Sequence, residues 1–273
     1  VFVDIYPTTY NINPEEIDNA VQYAKNKGLK PKAIIGVDLF GLPARYRLLE
    51  KVAEKNKLFL IEDTAQGFGG KIRDRKAGSF GDVASTSFFP AKPLGCYGDG
   101  GAIFTNDDDL AKKMKSIRVH GSGSDKYENV RVGLNGRLDT IQAAILLEKL
   151  SIFDEEIVLR NKAADYYSEN LDAELRKPFC PDLYTSSWAQ YSILADSQTS
   201  REKIISNLRM SDIPSMIYYK IPLHLQEVYK KLGYKRGDFP NSESVAKRIF
   251  SIPMHPYLSK SDQDKILDIL NKK

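Results

Sequence analysis

Apolar runs alternating with helical segments set the tightest limit on how this chain can fold. Val1-Phe2-Val3-Asp4-Ile5 reads as a β-rich run, residues 32–39 contain Ala33-Ile34-Ile35-Gly36-Val37, and residues 58–61 form a third strand-like run. Between the first two, Asn13-Pro14-Glu15-Glu16 offers a cap, a proline and first-turn acids. These predict a helix to about Lys27, stopped by Gly28. A second helix is predicted over 43–56. This β-α-β-α-β order, with continuous apolar strands, predicts a mainly parallel sheet sandwiched by helices. Functional groups then belong at the carboxyl ends of the strands, where Asp63 falls.

Further on, 82–89 and 101–105 read as strands flanking a glycine-rich turn, and Asp107 caps a helix to about Val119. From Leu138 a long amphipathic helix is predicted to run towards Tyr167. It would cross from a large domain (1–150) to a smaller α+β domain (151–273) with strands near 190–194 and 215–219. The opening run has no element ahead of it, so an upstream segment of the large domain is expected to be missing.

Composition narrows the classes. With 42% hydrophobic and 28% charged residues the chain is globular rather than disordered. A scattered net charge of +4 argues against a nucleic-acid partner and tolerates a phosphorylated substrate. Cys96 and Cys180 make no disulfide framework, which points to a reducing compartment. No apolar run approaches membrane-spanning length and no signal peptide is visible, so a soluble cytoplasmic protein is expected.

Lys92 carries the chemistry. It lies in Ser87-Phe88-Phe89-Pro90-Ala91-Lys92-Pro93-Leu94, before a glycine-rich run from Gly95 to Gly101, and downstream of Ile61-Glu62-Asp63-Thr64-Ala65-Gln66. An amine, a distant buried acid and a hydroxyl-and-glycine environment suit pyridoxal phosphate. Its aldehyde needs an amine for a Schiff base, and its pyridine nitrogen needs a carboxylate to stay protonated. Taken singly, Lys92 reads as a surface lysine, Asp63 as a helix cap, Ser87 as a strand serine, and the glycine run as a hairpin turn. Competing motifs are absent: there is no G-x-G-x-x-G after a strand, no P-loop, no G-x-S-x-G elbow. His120, His224 and His255 lack metal-ligand spacing.

These blocks, with Gly98-Asp99-Gly100-Gly101, Arg118-Val119-His120-Gly121 and Gly133-Leu134-Asn135-Gly136-Arg137-Leu138-Asp139, resemble the DegT/DnrJ/EryC1/StrS family of nucleotide-sugar aminotransferases. The resemblance spans essentially the whole chain. It implies the aspartate-aminotransferase-like fold (pyridoxal-phosphate fold type I). The run from Pro90 to Asn106 is most similar to the WbpE/WlbC-type transaminases, which aminate the 3-keto group of UDP-2-acetamido-2-deoxy-3-oxo-glucuronic acid for O-antigen. A 4-keto UDP- or dTDP-sugar, or a non-catalytic cofactor-binding paralogue, is the alternative.

The resemblance implies roles residue by residue. Lys92 becomes the Schiff-base lysine, Asp63 the partner of the pyridine nitrogen, and Gln66 a contact to the ring or its 3-oxygen. Ser87 would donate to the cofactor phosphate. Asn135 would reach the phosphate of the other subunit's cofactor, making a homodimer with shared active sites. Arg137 would bind a substrate carboxylate or phosphate through its fork. Tyr218-Tyr219-Lys220-Ile221-Pro222-Leu223-His224 resembles the family's Tyr-Pro-x-Pro-Leu-His substrate loop, with Lys220 in a proline position, which makes Tyr218, Tyr219 and His224 candidate substrate contacts. The expected amino donor is glutamate, and no metal is implied.

Overall fold

Strand-forming runs in this chain alternate between two environments, and that alternation decides which face of the main sheet is covered. In the computed structural model, which describes residues 1–125 and 127–272, the strands are β1 (Ala33–Val37), β2 (Phe59–Asp63), β3 (Lys71–Ile72), β4 (Arg75–Lys76), β5 (Val83–Ser87), β6 (Gly101–Phe104), β7 (Tyr184–Thr185), β8 (Tyr191–Leu194) and β9 (Ile249–Ile252). The helices are α1 (Ile17–Asn26), α2 (Tyr46–Asn56), α3 (Asp108–Arg118), α4 (Thr140–Ser151), α5 (Phe153–Asn170), α6 (Gln198–Met210), α7 (Pro240–Arg248) and α8 (Lys260–Leu270). None is long and apolar enough to cross a membrane among the described residues.

The main sheet has the order β1-β2-β5-β6, with the first three strands parallel and β6 antiparallel. Val37 pairs with Asp63, and Asp63 with Ser85, so the carboxyl ends of the parallel strands lie side by side. Ile34 and Leu60 point to one face, where α1 and α2 cover them with Ile17, Val21, Tyr46 and Leu49. Tyr46 stacks flat on Phe80 at 4.5 Å between ring centroids. The other face carries Ile35, Val37, Phe59 and Ile103, all exposed. Burial on both faces was the expectation; the described residues cover only one.

A second core joins α5, α6 and α8 to the β8–β9 hairpin around Tyr167, Tyr191, Ile193, Leu208 and Phe250. A smaller cluster of Tyr10, Phe40, Leu194, Val245 and Ile249 ties the two together.

Three expected elements take another form. Residues 1–5 are not a strand: Ile5 makes one bridge to Ile12. The segment is spent on the far end of the chain instead. Asp4 accepts hydrogen bonds from the N–H groups of Asn241 and Ser242 at the start of α7, and Phe2 packs among Tyr229, Tyr234 and Phe239. Residues 215–219 likewise form one bridge, Met216 to Ser251, because Pro214 has no N–H to extend the ladder. The helix predicted from Leu138 to Tyr167 is broken at Ile152 (φ −109°, ψ 0°), where Asp154, Glu155 and Glu156 start a new first turn.

Beside the sheet lie two buried acids. Glu62 accepts from the N–H groups of Gly78 (2.6 Å) and Phe80 (2.8 Å), so it holds its charge. Asp38 Oδ1 accepts from the Tyr46 hydroxyl (2.7 Å) and the Ala44 N–H (3.0 Å). With both acids ionised, Asp38 Oδ2 has no partner. Burial, then the neighbouring Glu62 charge, raises the Asp38 carboxyl well above the usual range. The protonated carboxyl donates to Glu62, which satisfies the pair.

A raised acid contributes stability that is complete at low pH and lost as pH rises through its folded pKa. Asp38→Asn, which copies the protonated acid, is therefore expected to hold the thermal midpoint near wild type at neutral pH and to flatten its alkaline decline. Glu62→Gln turns an amide N–H against a backbone N–H and should cost about 1–3 kcal/mol. Identical alkaline slopes for wild type and Asp38→Asn in pH-resolved thermal melts would contradict this pairing.

Candidate active site

Two-residue alternation along β2 turns Glu62 into the covered side and Asp63 towards the open side of the sheet. There a cavity of about 1130 Å³ collects Asp63, Gln66, Lys92, Tyr218, Tyr219 and His224 in its wall. These residues come from four separate stretches of chain.

Asp63 closes β2. Its Oδ1 accepts from the Ala65 N–H at 3.1 Å, which turns the chain, and Oδ2 is the oxygen left for the cavity. The capping role and the site role are thus filled by different oxygens of one carboxylate. Gln66 follows in that turn and is buried. Its Oε1 accepts from the Phe40 N–H at 2.6 Å, and its Nε2 donates to the Tyr219 hydroxyl at 3.3 Å.

Lys92 is half-buried in the connection between β5 and β6, and its N–H donates to the Phe89 carbonyl at 2.9 Å. That connection is anchored rather than loose. The buried Cys96 thiol lies 3.0 Å from both the Phe88 and the Gly98 carbonyls. From α4, Lys149 donates to the Gly95 carbonyl (2.6 Å) and Gln142 accepts from the Tyr97 N–H (2.8 Å). Gly95 is required by contact: a Cβ there would lie 2.6 Å from the Pro90 carbonyl oxygen. Lys92 therefore projects from a backbone held on both sides.

His224 reaches the cavity wall with one ring nitrogen already engaged. Its Nε2 lies 3.0 Å from Glu243 Oε1, and its ring packs edge-on against Phe239 at 4.7 Å. Burial alone would raise the Glu243 carboxyl, but the Gly237 N–H and the histidine hold it below the ordinary range.

Ser87, Asn135 and Arg137 stand apart from this wall within one chain. Ser87 ends β5, two residues beyond the strand partner of Asp63, and its hydroxyl accepts from the Phe89 N–H at 3.2 Å. Asn135 bridges to Val119 and accepts from Arg137 Nε at 3.0 Å. Phe40, Glu243, Gln142 and Lys149 were not among the expected site residues, and no local motif distinguishes them.

An amine, a free carboxylate oxygen and an amide N–H around one cavity fit an aromatic aldehyde with a basic ring nitrogen: the amine for the aldehyde, the acid for the nitrogen, the amide for a ring oxygen. That donor set is what pyridoxal phosphate requires at its ring end.

Comparison with known proteins agrees. The model of the DegT/DnrJ/EryC1/StrS aminotransferase family matches residues 1–271. The UDP-2-acetamido-2-deoxy-3-oxo-D-glucuronate aminotransferase of Pseudomonas aeruginosa is 42% identical over 259 residues, 94% of this chain and 68% of that protein. A pleiotropic regulatory protein of Geobacillus stearothermophilus is 41% identical over 98% of this chain and 70% of its own length. Among solved structures, a DegT/DnrJ/EryC1/StrS aminotransferase from Brucella abortus superposes with a TM-score of 0.94 at 50% identity, covering 99% of this chain and 72% of that one. Bacillus subtilis NtdA, solved with bound cofactor PMP, superposes with a TM-score of 0.88 at 27% identity over 99% of this chain and 61% of its own. On these matches the chain belongs to the DegT/DnrJ/EryC1/StrS aminotransferase family.

Proposed function

We propose that this protein is a pyridoxal-phosphate-dependent aminotransferase that moves an amino group from glutamate to a keto sugar nucleotide. The acceptor is read as the 3-keto group of a UDP-linked 2-acetamido-3-oxo-glucuronic acid, made for surface polysaccharide such as O-antigen. The observation that carries this reading is the meeting of Lys92, Asp63 and Gln66 in one cavity, in a chain of this family. The choice of sugar leans on the Pseudomonas aeruginosa relative. The reaction is assigned to the cytoplasm, where nucleotide sugars are made.

Bound there, the cofactor supplies the electron sink that stabilises negative charge on the carbon bearing the nitrogen. Lys92 Nζ anchors it and, once free, takes the proton from the donor's Cα and later returns one to the sugar carbon. Asp63 Oδ2 keeps a proton on the pyridine nitrogen, because an adjacent carboxylate favours the charged ring. Gln66 Nε2 has a second proton for the ring's 3-oxygen, and Ser87 is assigned to the phosphate. Tyr218, Tyr219 and the Glu243-braced His224 face the sugar.

Asn135 and Arg137 are assigned to the neighbouring subunit's site in a homodimer, with Arg137 taking a substrate carboxylate or phosphate. Helix α4 supports that assembly: Ile141, Leu147 and Leu150 are exposed on it, and Leu146 is its one buried residue. An apolar helix left open in this way calls for a partner surface. We also assign residues 1–150 to the cofactor domain and 151–273 to the smaller domain.

Lys92→Ala is expected to abolish turnover and the borohydride-trappable cofactor adduct while leaving the thermal midpoint near wild type; retention of the adduct would contradict the role of Lys92. A paired Ile141→Glu, Leu147→Glu variant is expected to shift the protein from dimer to monomer in light scattering. An unchanged dimer would remove α4 from the interface.

A further inference from the structure

Tyr219 presents a hydroxyl whose direction is set by groups behind it. A backbone N–H can only donate, and the Phe40 N–H lies 2.6 Å from Gln66 Oε1. That contact fixes which way the Gln66 amide faces, since its NH₂ end against another N–H would leave both unpaired. Phe40 cannot yield: it is buried, with φ at 61°, in the turn where the Gly41 N–H donates to the Asp38 carbonyl. Gln66 is also held by its own backbone, whose carbonyl accepts from the Ser187 hydroxyl at 2.6 Å.

The end of Gln66 facing Tyr219 is therefore the amide nitrogen, at 3.3 Å. It carries protons and no acceptor, so the tyrosine oxygen accepts. The single proton of that hydroxyl must then point elsewhere. Among the described residues no side chain or carbonyl takes it, and Tyr219 is 54% exposed on the wall shared with Lys92 and Asp63.

We propose that Tyr219 is a specificity-determining hydrogen-bond donor, and that Gln66 is the positioning residue that fixes its polarity. The ligand group it selects is an oxygen with lone pairs and no proton to give, a carbonyl or carboxylate of the bound substrate. A ligand N–H or ammonium at that point would meet a hydroxyl that can accept only by breaking its bond to Gln66. The proposal rests on the reading of the cavity as the substrate site of a sugar aminotransferase. Either the keto sugar or the amino-acid donor can supply such an oxygen.

The test is equilibrium binding by titration calorimetry on the cofactor-loaded enzyme, with the UDP-linked 3-keto uronate in one arm and glutamate in the other. Tyr219→Phe removes the donor. Gln66→Glu keeps an acceptor for the Phe40 N–H but presents a second oxygen to Tyr219, which then turns its proton away from the cavity. Both are expected to weaken binding about tenfold in the same arm, and the double variant is expected to be no weaker than the weaker single. Gln66→Met leaves the hydroxyl free to rotate and is expected to weaken binding less than Tyr219→Phe; this arm also serves if Gln66→Glu does not load cofactor. The arm that responds identifies which substrate supplies the oxygen. Wild-type affinity of Tyr219→Phe in both arms, additive losses in the double variant, or a Gln66→Met loss as large as that of Tyr219→Phe would overturn the proposal. Failure of the wild-type enzyme to bind any keto sugar nucleotide would instead sink the underlying reading.

Discussion

Parallel pairing of β2 between β1 and β5 is the constraint on which the rest of the site depends. With Asp63 in register with Val37 and Ser85, three strand ends are brought level, and the two-residue period separates neighbouring acids. Glu62 goes to the covered face and is neutralised locally by two backbone N–H groups and the Asp38 proton. Asp63 goes to the cavity with one oxygen uncommitted. A slip of one residue in this pairing would exchange the two acids, burying the cofactor's partner and exposing a structural one.

Lys92 depends on a different kind of support. Its backbone lies outside any strand, so precision comes from side chains of α4 and from the Cys96 thiol. Helix α4 thus has two tasks. One side steadies the Lys92 connection through Gln142 and Lys149, and the other leaves apolar residues open for a partner. Assembly and alignment of the amine are consequently linked through one helix.

Much of this was legible in the amino-acid pattern because strands and caps are local. The alternation in 33–37 and 59–63, the Asp107 cap and the acid at the end of β2 all follow from neighbouring residues. Long-range choices were not legible. Whether Val1–Ile5 joins a sheet depends on Asp4 finding the N–H groups of α7, and nothing near Asp4 announces Ser242. The break at Ile152 was hidden because both flanking helices are apolar enough to read as one. Lys92, Asp63 and Gln66 were found by motif and do share one cavity. Ser87, Asn135 and Arg137 came from the same motifs but lie off its wall in a single chain, consistent with roles at its margin or across an interface. Phe40 and Glu243 act through a backbone N–H and a buried pair, for which residue type carries no signal.

The central claim is that this cavity transfers nitrogen to a sugar carbonyl. Its most direct test is mass detection after incubating the cofactor-loaded enzyme with nitrogen-labelled glutamate and a panel of UDP- and dTDP-linked 3-keto and 4-keto sugars. The account predicts that the UDP-linked 3-keto uronate gains the label as an amine while glutamate becomes 2-oxoglutarate. Absence of label from every sugar in the panel, with cofactor bound and Lys92 intact, would contradict it.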